Sequence, residues 1–216
     1  MDETFPKRIA LFGPQGSGKG TQAEKINITF GIPHISPGHI FRTAVAEQTD
    51  LGKQVESILN EGSLVPDEVT NALMKERIAQ EDCLNGFIFD GYPRNTAQAD
   101  ALDAMTNLSH VFVIDIPESE SIKRISHRRS CPKCGASYHL DFKPSQQEGI
   151  CDTCGNELIQ RADDTPDAIK QRLSIYRNDT EPNIARYRER GIVHDIDGMG
   201  TIEEIWERIQ KILWDS

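Results

Sequence analysis

Glycine recurs at positions 13, 16, 18 and 20 of the run Gly13-Pro14-Gln15-Gly16-Ser17-Gly18-Lys19-Gly20-Thr21. The run follows the apolar Ile9-Ala10-Leu11-Phe12 and precedes the helix-like Gln22-Ala23-Glu24-Lys25-Ile26. A strand, a flexible turn and a helix start in that order let successive backbone N–H groups point into one concavity at the positive helix end, where an anion binds. A polyphosphate fits there, with Lys19 reaching its terminal groups and the hydroxyl of Ser17 or Thr21 placed for phosphate or a magnesium-bound water. Loops of this kind usually carry a hydroxyl residue directly after the lysine. Here Gly20 intervenes and Thr21 supplies the hydroxyl one position later.

A second constellation is Cys131-Pro132-Lys133-Cys134-Gly135 with Cys151-Asp152-Thr153-Cys154-Gly155, a C-x2-C-x16-C-x2-C spacing close to that of four-cysteine zinc sites. Glycine after each second cysteine lets the knuckle turn its N–H groups toward the sulfurs. Four thiolates close a tetrahedral shell and leave no position for water, so zinc here is expected to be structural; iron in the same cage and disulfides are the alternatives. His127 and His139 flank the site as lone histidines and read as surface or packing residues. Cys83, the fifth cysteine, reads as a buried structural thiol.

Carboxylates and arginines supply the third set. Gly86-Phe87-Ile88-Phe89-Asp90 is an apolar strand ending in a carboxylate, and strand C-termini line the ligand crevice of an open α/β sheet, so Asp90 is expected to hold magnesium-bound water; capping the next turn is its structural alternative. Asp115 also ends an apolar run, but Ile116-Pro117 follows and makes it a plain strand exit. Arg42, Arg94, Arg124, Arg128, Arg161 and Arg172 fall at segment junctions. Singly these are surface charges; as a set beside a phosphate loop they could neutralise a phosphoryl group in transfer.

These groups need a scaffold. Apolar runs at 9–12, 87–89, 111–114 and 192–196, with a weaker fifth at 31–35, alternate with helical patterns at 69–80, 96–105 and 202–213. That alternation predicts an α/β fold with a parallel sheet covered on both faces. Two segments break it: helix-like pieces at 40–47 and 51–60 read as a helical flap, and the polar, Cys- and Gly-rich stretch at 127–164 as a small β insert. A chain of 216 residues fits one domain with insertions, and a net charge of −10 argues against nucleic-acid or anionic-membrane binding through the global field. The first eight residues lack an apolar leader core, and no apolar run approaches the ~20 residues of a membrane span. With paired cysteines read as metal ligands, a cytoplasmic protein is expected.

Gly13 to Thr21, Gly31 to Ser36 with Arg42, Gly62 to Asp67, Gly86 to Arg94 with Gln98, Arg124 to Arg128, the four cysteines, and Gln160 to Asp164 with Arg172 together resemble the adenylate kinases, in the long form with a zinc-bearing lid. The resemblance runs from residue 9 to about 200. It implies a five-stranded P-loop core (1–35, 66–126, 165–216), a flap binding the nucleoside monophosphate (36–65) and a lid (127–164). It implies ATP at Gly16, Ser17, Gly18, Lys19, Gly20, Thr21, Arg124, Arg128, Ser137, Tyr138 and Gly200. AMP would meet Pro37, Arg42, Ser63, Leu64, Val65, Gly91, Tyr92, Pro93, Arg94 and Gln98, with Arg161 and Arg172 bridging the reacting phosphates and Asp163 and Asp164 at the lid hinge. Lys19, Asp90, Arg94, Arg128, Arg161 and Arg172 would be the catalytic set, with Mg2+ accompanying ATP, structural Zn2+ and a monomeric chain. Gln98 and the long lid favour AMP over UMP or CMP. Two departures stand out: Ser36-Pro37-Gly38-His39 replaces the family's Ser-Thr-Gly-Asp, so Pro37 removes a hydroxyl and an N–H beside the acceptor base. His39 replaces a carboxylate expected near the magnesium shell, facing either that site or solvent. The expected reaction is MgATP + AMP = 2 ADP. The rivals are the same chemistry on another monophosphate, and a nucleotide-dependent switch whose zinc ribbon binds nucleic acid or a partner.

Overall fold

β1 (Lys7–Phe12) occupies the centre of a parallel five-stranded sheet, paired on one side with β3 (Gly86–Asp90) and on the other with β4 (His110–Asp115). β2 (His34–Ile35) and β7 (Val193–Asp197) form the edges, giving the order β2-β3-β1-β4-β7. This computed structural model describes residues 6–215. Met1–Phe5, part of the stretch read as lacking a leader core, lies outside the described residues.

Alternation along the strands sorts their side chains into two cores. Ala10, Phe12, Phe89, Val111 and Val113 face one way and pack with Met74 of α4 (Asp67–Ile78), Leu102 of α5 (Thr96–Met105) and Tyr187 of α8 (Ile184–Glu189). Ile9, Leu11, Ile88, Phe112 and Ile114 face the other way, against Ala23 and Ile26 of α1 (Lys19–Phe30) and Ile205, Ile209 and Leu213 of α9 (Ile202–Trp214). Each fully buried aliphatic or aromatic side chain contributes about 1.5–3 kcal/mol. The sheet is therefore rigid, and the loops at its C-terminal edge inherit fixed origins.

The helix starts follow local chemistry. Asn95 accepts from Gln98 N at 2.9 Å and caps α5, and Thr201 with Glu204 closes a capping box on α9. The flap segment carries α2 (Pro37–Ala46), with Pro37 at its first turn, and α3 (Asp50–Asn60). Between α6 (Glu118–Ser126) and α7 (Pro166–Ile175), the lid segment pairs β5 (Arg128–Ser130) antiparallel with β6 (Ser137–His139). Its core is small: Cys131, Tyr138, Cys151 and Leu158. The expected strand at 31–35 shrinks to its last two residues, because an edge strand is held from one side only. Cys83 is buried as expected and receives Arg77 Nη1 at 3.0 Å, its thiol pushed up by burial.

At the opposite edge of the sheet from the site, His110 is buried, contacts Ser109 Oγ at 2.9 Å and stacks on His194. Burial, with the nearby His194 and Lys7, lowers its pKa to about 4. A histidine depressed in the folded state binds its proton first in the unfolded chain, so stability is full above pH ~6.5 and falls as pH drops toward 4. Melting temperatures measured between pH 7 and 4 should fall less steeply in His110→Asn than in the parent; equal slopes would remove His110 as the cause.

Candidate active site

The loop after β1 is held open by close approaches that demand glycine. Gly13 has φ +142, and a Cβ there would lie 2.1 Å from the carbonyl oxygen of Ile114. Ser121 Oγ donates to Gln15 O from behind, and Gly18, φ 94, turns the chain into α1 so that its N-terminus faces the cleft. Lys19, the first residue of α1, folds back over the loop with Nζ 2.8 Å from both Gly13 O and Pro14 O. Burial lowers its pKa to about 8; Asp90 opposes the shift and Arg94, Arg172 and Arg128 reinforce it.

Asp90, at the C-terminus of β3, faces the same loop. Its Oδ2 lies 3.3 Å from His34 Nε2, and a Cβ on Gly20 would lie 3.3 Å from that oxygen. The missing side chain at 20 thus leaves space for the carboxylate, which accounts for the displaced hydroxyl in the loop. Burial alone would raise the Asp90 pKa, but the His34 hydrogen bond and the charges of His34, Lys19 and Arg94 bring it to about 2. The ionised Asp90 carboxylate and Thr21 both line the cavity and offer oxygen donors that fit hydrated Mg2+, whereas Ser17, a sequence candidate for this role, is fully buried within the loop and does not line it.

Five arginines close the cleft from four segments: α2, the loop after β3, the lid and α7. Arg172 Nη1 meets Asp163 Oδ2 at 3.0 Å and Asp164 Oδ1 at 3.4 Å, and Arg128 makes a two-pronged pair with Asp164, its Nε at 3.0 Å from Oδ2. Arg42 reaches Asp163 at 4.0 Å; Arg161 Nε donates to Ser130 Oγ at 2.7 Å and Arg94 Nε to Gly91 O at 2.8 Å. Burial and repulsion from neighbouring arginines lower Arg42 to about 10, Arg161 well below the ordinary guanidinium range, and Arg94 and Arg172 below their usual value. Lys19 and the five arginines share a cavity of about 510 Å3 with Asp90. Asp163 and Asp164 only partly offset that charge. A polyanion is the ligand such a cleft favours.

The same cavity is also lined by Arg124, Ser137, Tyr138 and Gly200. Arg124 is buried, pairs with Glu120 at 2.7 Å, donates to Gly198 O at 3.1 Å and places its guanidinium carbon 5.5 Å from the Phe142 ring centroid. Phe142 was not singled out in the sequence; its one signal was an apolar residue in a polar insert. Tyr138 packs into the lid core, its hydroxyl 3.5 Å from Cys151 Sγ and accepting from Asp152 N at 2.8 Å. A smaller cavity of about 40 Å3 is lined by Pro37, Ser63, Leu64, Val65, Gly91, Arg94 and Gln98. Ser63 Oγ accepts from Gln171 Nε2 at 2.8 Å, tying the flap to α7. Pro93 borders the larger cavity. The Tyr92 ring turns away into the core, its hydroxyl donating to Asn71 Oδ1 at 2.8 Å.

His39 stays exposed to solvent, the second of the two alternatives drawn from the sequence, while also extending toward the lid. It reaches across the cleft to the lid, where a Cβ on Gly135 would lie 2.0 Å from His39 Cε1. Burial, then Arg42, His34 and Arg161, lower its pKa and favour neutral imidazole. With Lys143 of the lid 2.6 Å from Glu24 of α1, flap, lid and core meet around the cavity.

The four cysteine sulfurs lie together, Cys131 to Cys154 at 3.4 Å and Cys134 to Cys151 at 3.5 Å, with Cys134 N facing Cys131 Sγ at 3.5 Å. That spacing suits a tetrahedral thiolate cage with metal–sulfur bonds of about 2.3 Å. Burial alone would raise Cys151, but hydrogen bonds from Tyr138 and from the Thr153 and Cys154 N–H groups hold it at about 6, ready to ligate as thiolate. His127 Nδ1 instead pairs with Asp141 at 2.6 Å, and His139 Nδ1 accepts from Asp141 N and Phe142 N.

A phosphate loop at the C-terminal edge of a parallel sheet, two inserts and the cationic cleft that all of them line define a P-loop phosphotransferase acting on nucleotides. The family model for adenylate kinase matches residues 11–192. Curated relatives include adenylate kinases of Archaeoglobus fulgidus (46% identical; 95% of this chain and 97% of that one), Streptomyces avermitilis (47%; 95% and 96%) and Clostridium perfringens strain 13 (45%; 97% and 98%). The chain belongs to the adenylate kinase family, phosphotransferases that bind ATP and AMP and form ADP. Among the described residues no helix is long and apolar enough to cross a membrane.

Four thiolates with no open position predict a structural metal. Elemental analysis should find about one zinc per chain, and chelation should lower the melting temperature. Stripped protein of unchanged stability that lost activity until zinc returned would contradict the structural role.

Proposed function

We propose that the chain transfers the γ-phosphoryl of MgATP reversibly to AMP, giving two ADP, with the ATP phosphates in the Gly16–Thr21 loop and AMP between the flap and Gln98. The observation that carries this reading is the convergence of Arg42, Arg94, Arg128, Arg161 and Arg172 on the space between Lys19 and the Gln98 cavity. An AMP phosphate oxygen attacks the γ-phosphorus in line, and the bond to the bridging oxygen of ADP breaks. The acceptor is already ionised at neutral pH, so no general base is needed. Lys19 and the arginines orient the two phosphates and offset the equatorial charge. Magnesium, when bound with ATP, supplies neutralisation of the phosphate oxygens, and Asp90 would hold it through its water shell.

Water is the competing acceptor, and the contact of His39 with Gly135 supports closure of flap on lid as the means of excluding it. Adenylate kinase lids are themselves a standard example of such gating, with opening commonly limiting turnover. The reading carries with it a monomer working in the cytoplasm, where the four cysteines remain thiols. A nucleic-acid switch is disfavoured because the arginines line an enclosed cleft instead of an outer face.

Purified protein supplied with MgATP and, in turn, AMP, GMP, UMP or CMP tests the acceptor directly. AMP should be preferred by at least about 10²-fold in kcat/KM, since a site built to hydrogen-bond one base leaves buried polar groups unpaired with another. Equal use of GMP or of a pyrimidine nucleotide would overturn the AMP reading while leaving the phosphotransferase chemistry.

A further inference from the structure

Gln98 is 2% exposed and lines the smaller cavity with Pro37, Phe41, Leu64, Val65 and Thr70. The Thr70 hydroxyl is turned to Val65 O, and Pro37 has neither an N–H nor a hydroxyl to offer a base. The Gln98 amide can offer a base both a donor and an acceptor, so its orientation matters. Gln98 Oε1 accepts from Arg94 N at 2.8 Å, and Gln98 Nε2 donates to Asp67 Oδ1 at 2.8 Å. The Asp67 carboxylate also receives Asn95 Nδ2, at 2.9 and 3.1 Å, while Asn95 Oδ1 is committed to capping α5 through Gln98 N.

This network permits one orientation. A carboxylate only accepts and a backbone N–H only donates, so turning the amide over would set oxygen against oxygen at Asp67 and N–H against N–H at Arg94. Glutamine has two N–H donors and two oxygen lone pairs. One of each is spent on Asp67 and Arg94; one of each remains, in fixed order, for a ligand. A 6-aminopurine offers a donor at C6 beside a ring-nitrogen acceptor, which this order satisfies. A 6-oxopurine presents an acceptor at C6 and would meet the Oε1 lone pair.

We infer that Asp67 is the positioning residue for acceptor specificity: by locking the Gln98 amide, it makes the cavity complementary to a 6-aminopurine and unfavourable to a 6-oxopurine. The inference rests on the AMP reading above and deepens it. Asp67 needs no contact with the nucleotide. Its effect passes through Gln98, with Asn95 holding the carboxylate in place.

The test compares AMP with IMP, which differ at position 6 and share ribose and phosphate, as acceptors for MgATP and as ligands in calorimetric titration. Asp67→Asn keeps the shape but can either donate or accept, and Asp67→Ala removes the acceptor, so each loosens the lock to what the Arg94 N–H alone provides. Both variants should raise the KM for AMP, leave the KM for ATP unchanged and reduce the AMP:IMP ratio of kcat/KM by about tenfold or more, the scale of one bidentate base contact. The calorimetric affinity ratio should fall in parallel. Because Asp67 opens α4, folding could suffer, but a ratio taken on one preparation does not depend on the fraction folded. A parent that prefers AMP, with variants that keep its AMP:IMP ratio, would overturn the role of Asp67 alone. A parent that does not discriminate would overturn this inference and the AMP reading together.

Discussion

Lys19 and five arginines brought into one cleft repel one another, and the arrangement of the site depends on how that repulsion is contained. Taking an ion out of water costs several kcal/mol even after relaxation, and the cost is recovered only with well-placed counterions. Asp163 and Asp164 are those counterions: Asp164 receives Arg128 and Arg172, and Asp163 receives Arg172 and, at longer range, Arg42. Burial, reinforced by the neighbouring arginines, lowers the pKa values of Arg42, Arg94, Arg161 and Arg172 despite these counterions. The remaining positive potential is what a polyphosphate meets, on a chain whose net charge is −10. Global charge and local site have opposite signs.

The fold delivers these cations from elements far apart in the chain. β1 and β3 bring Lys19 and Asp90 to the C-terminal edge of the sheet; α2 brings Arg42; the lid brings Arg128 and Arg161; α7 brings Arg172. The lid is the element least able to hold its shape alone, because a core of Cys131, Tyr138, Cys151 and Leu158 buries little apolar surface. A four-thiolate metal site supplies the missing rigidity, and its first knuckle is also where Gly135 receives His39. Metal and phosphate chemistry are thus linked through geometry.

Much of this could be read from residue order. α5 was legible to the residue, since Asn95 is a strong cap and the apolar spacing after it is clean. The central strands were legible as apolar runs because both faces are buried, although each extends by a residue or two beyond the run. The edge strand β2 was not, since one-sided pairing leaves its length to the neighbouring strand. In the site, the spacing of glycines, lysine and cysteines exposed the phosphate loop and the metal cage. Pairings between distant segments left no local trace: His34 with Asp90 and Asp67 with Gln98 are separated by 56 and 31 residues. The Gly20 substitution was visible as an anomaly, but its reason, the Asp90 carboxylate, lies on another strand.

If repulsion among the arginines is the cost of a site made for phosphate, removing one cation should stabilise the unliganded protein. Arg161 is the cleanest choice, because its hydrogen-bond partner is the neutral Ser130 hydroxyl and burial, reinforced by Arg42 and Arg128, disfavours its charge. The measurement is the melting temperature of the parent and of Arg161→Met, each with and without inorganic tripolyphosphate. The account predicts that Arg161→Met melts higher than the parent without ligand, by a few degrees for ~1 kcal/mol in a chain of this size, and gains less from tripolyphosphate. A variant that melts lower without ligand and gains as much from tripolyphosphate as the parent would contradict it.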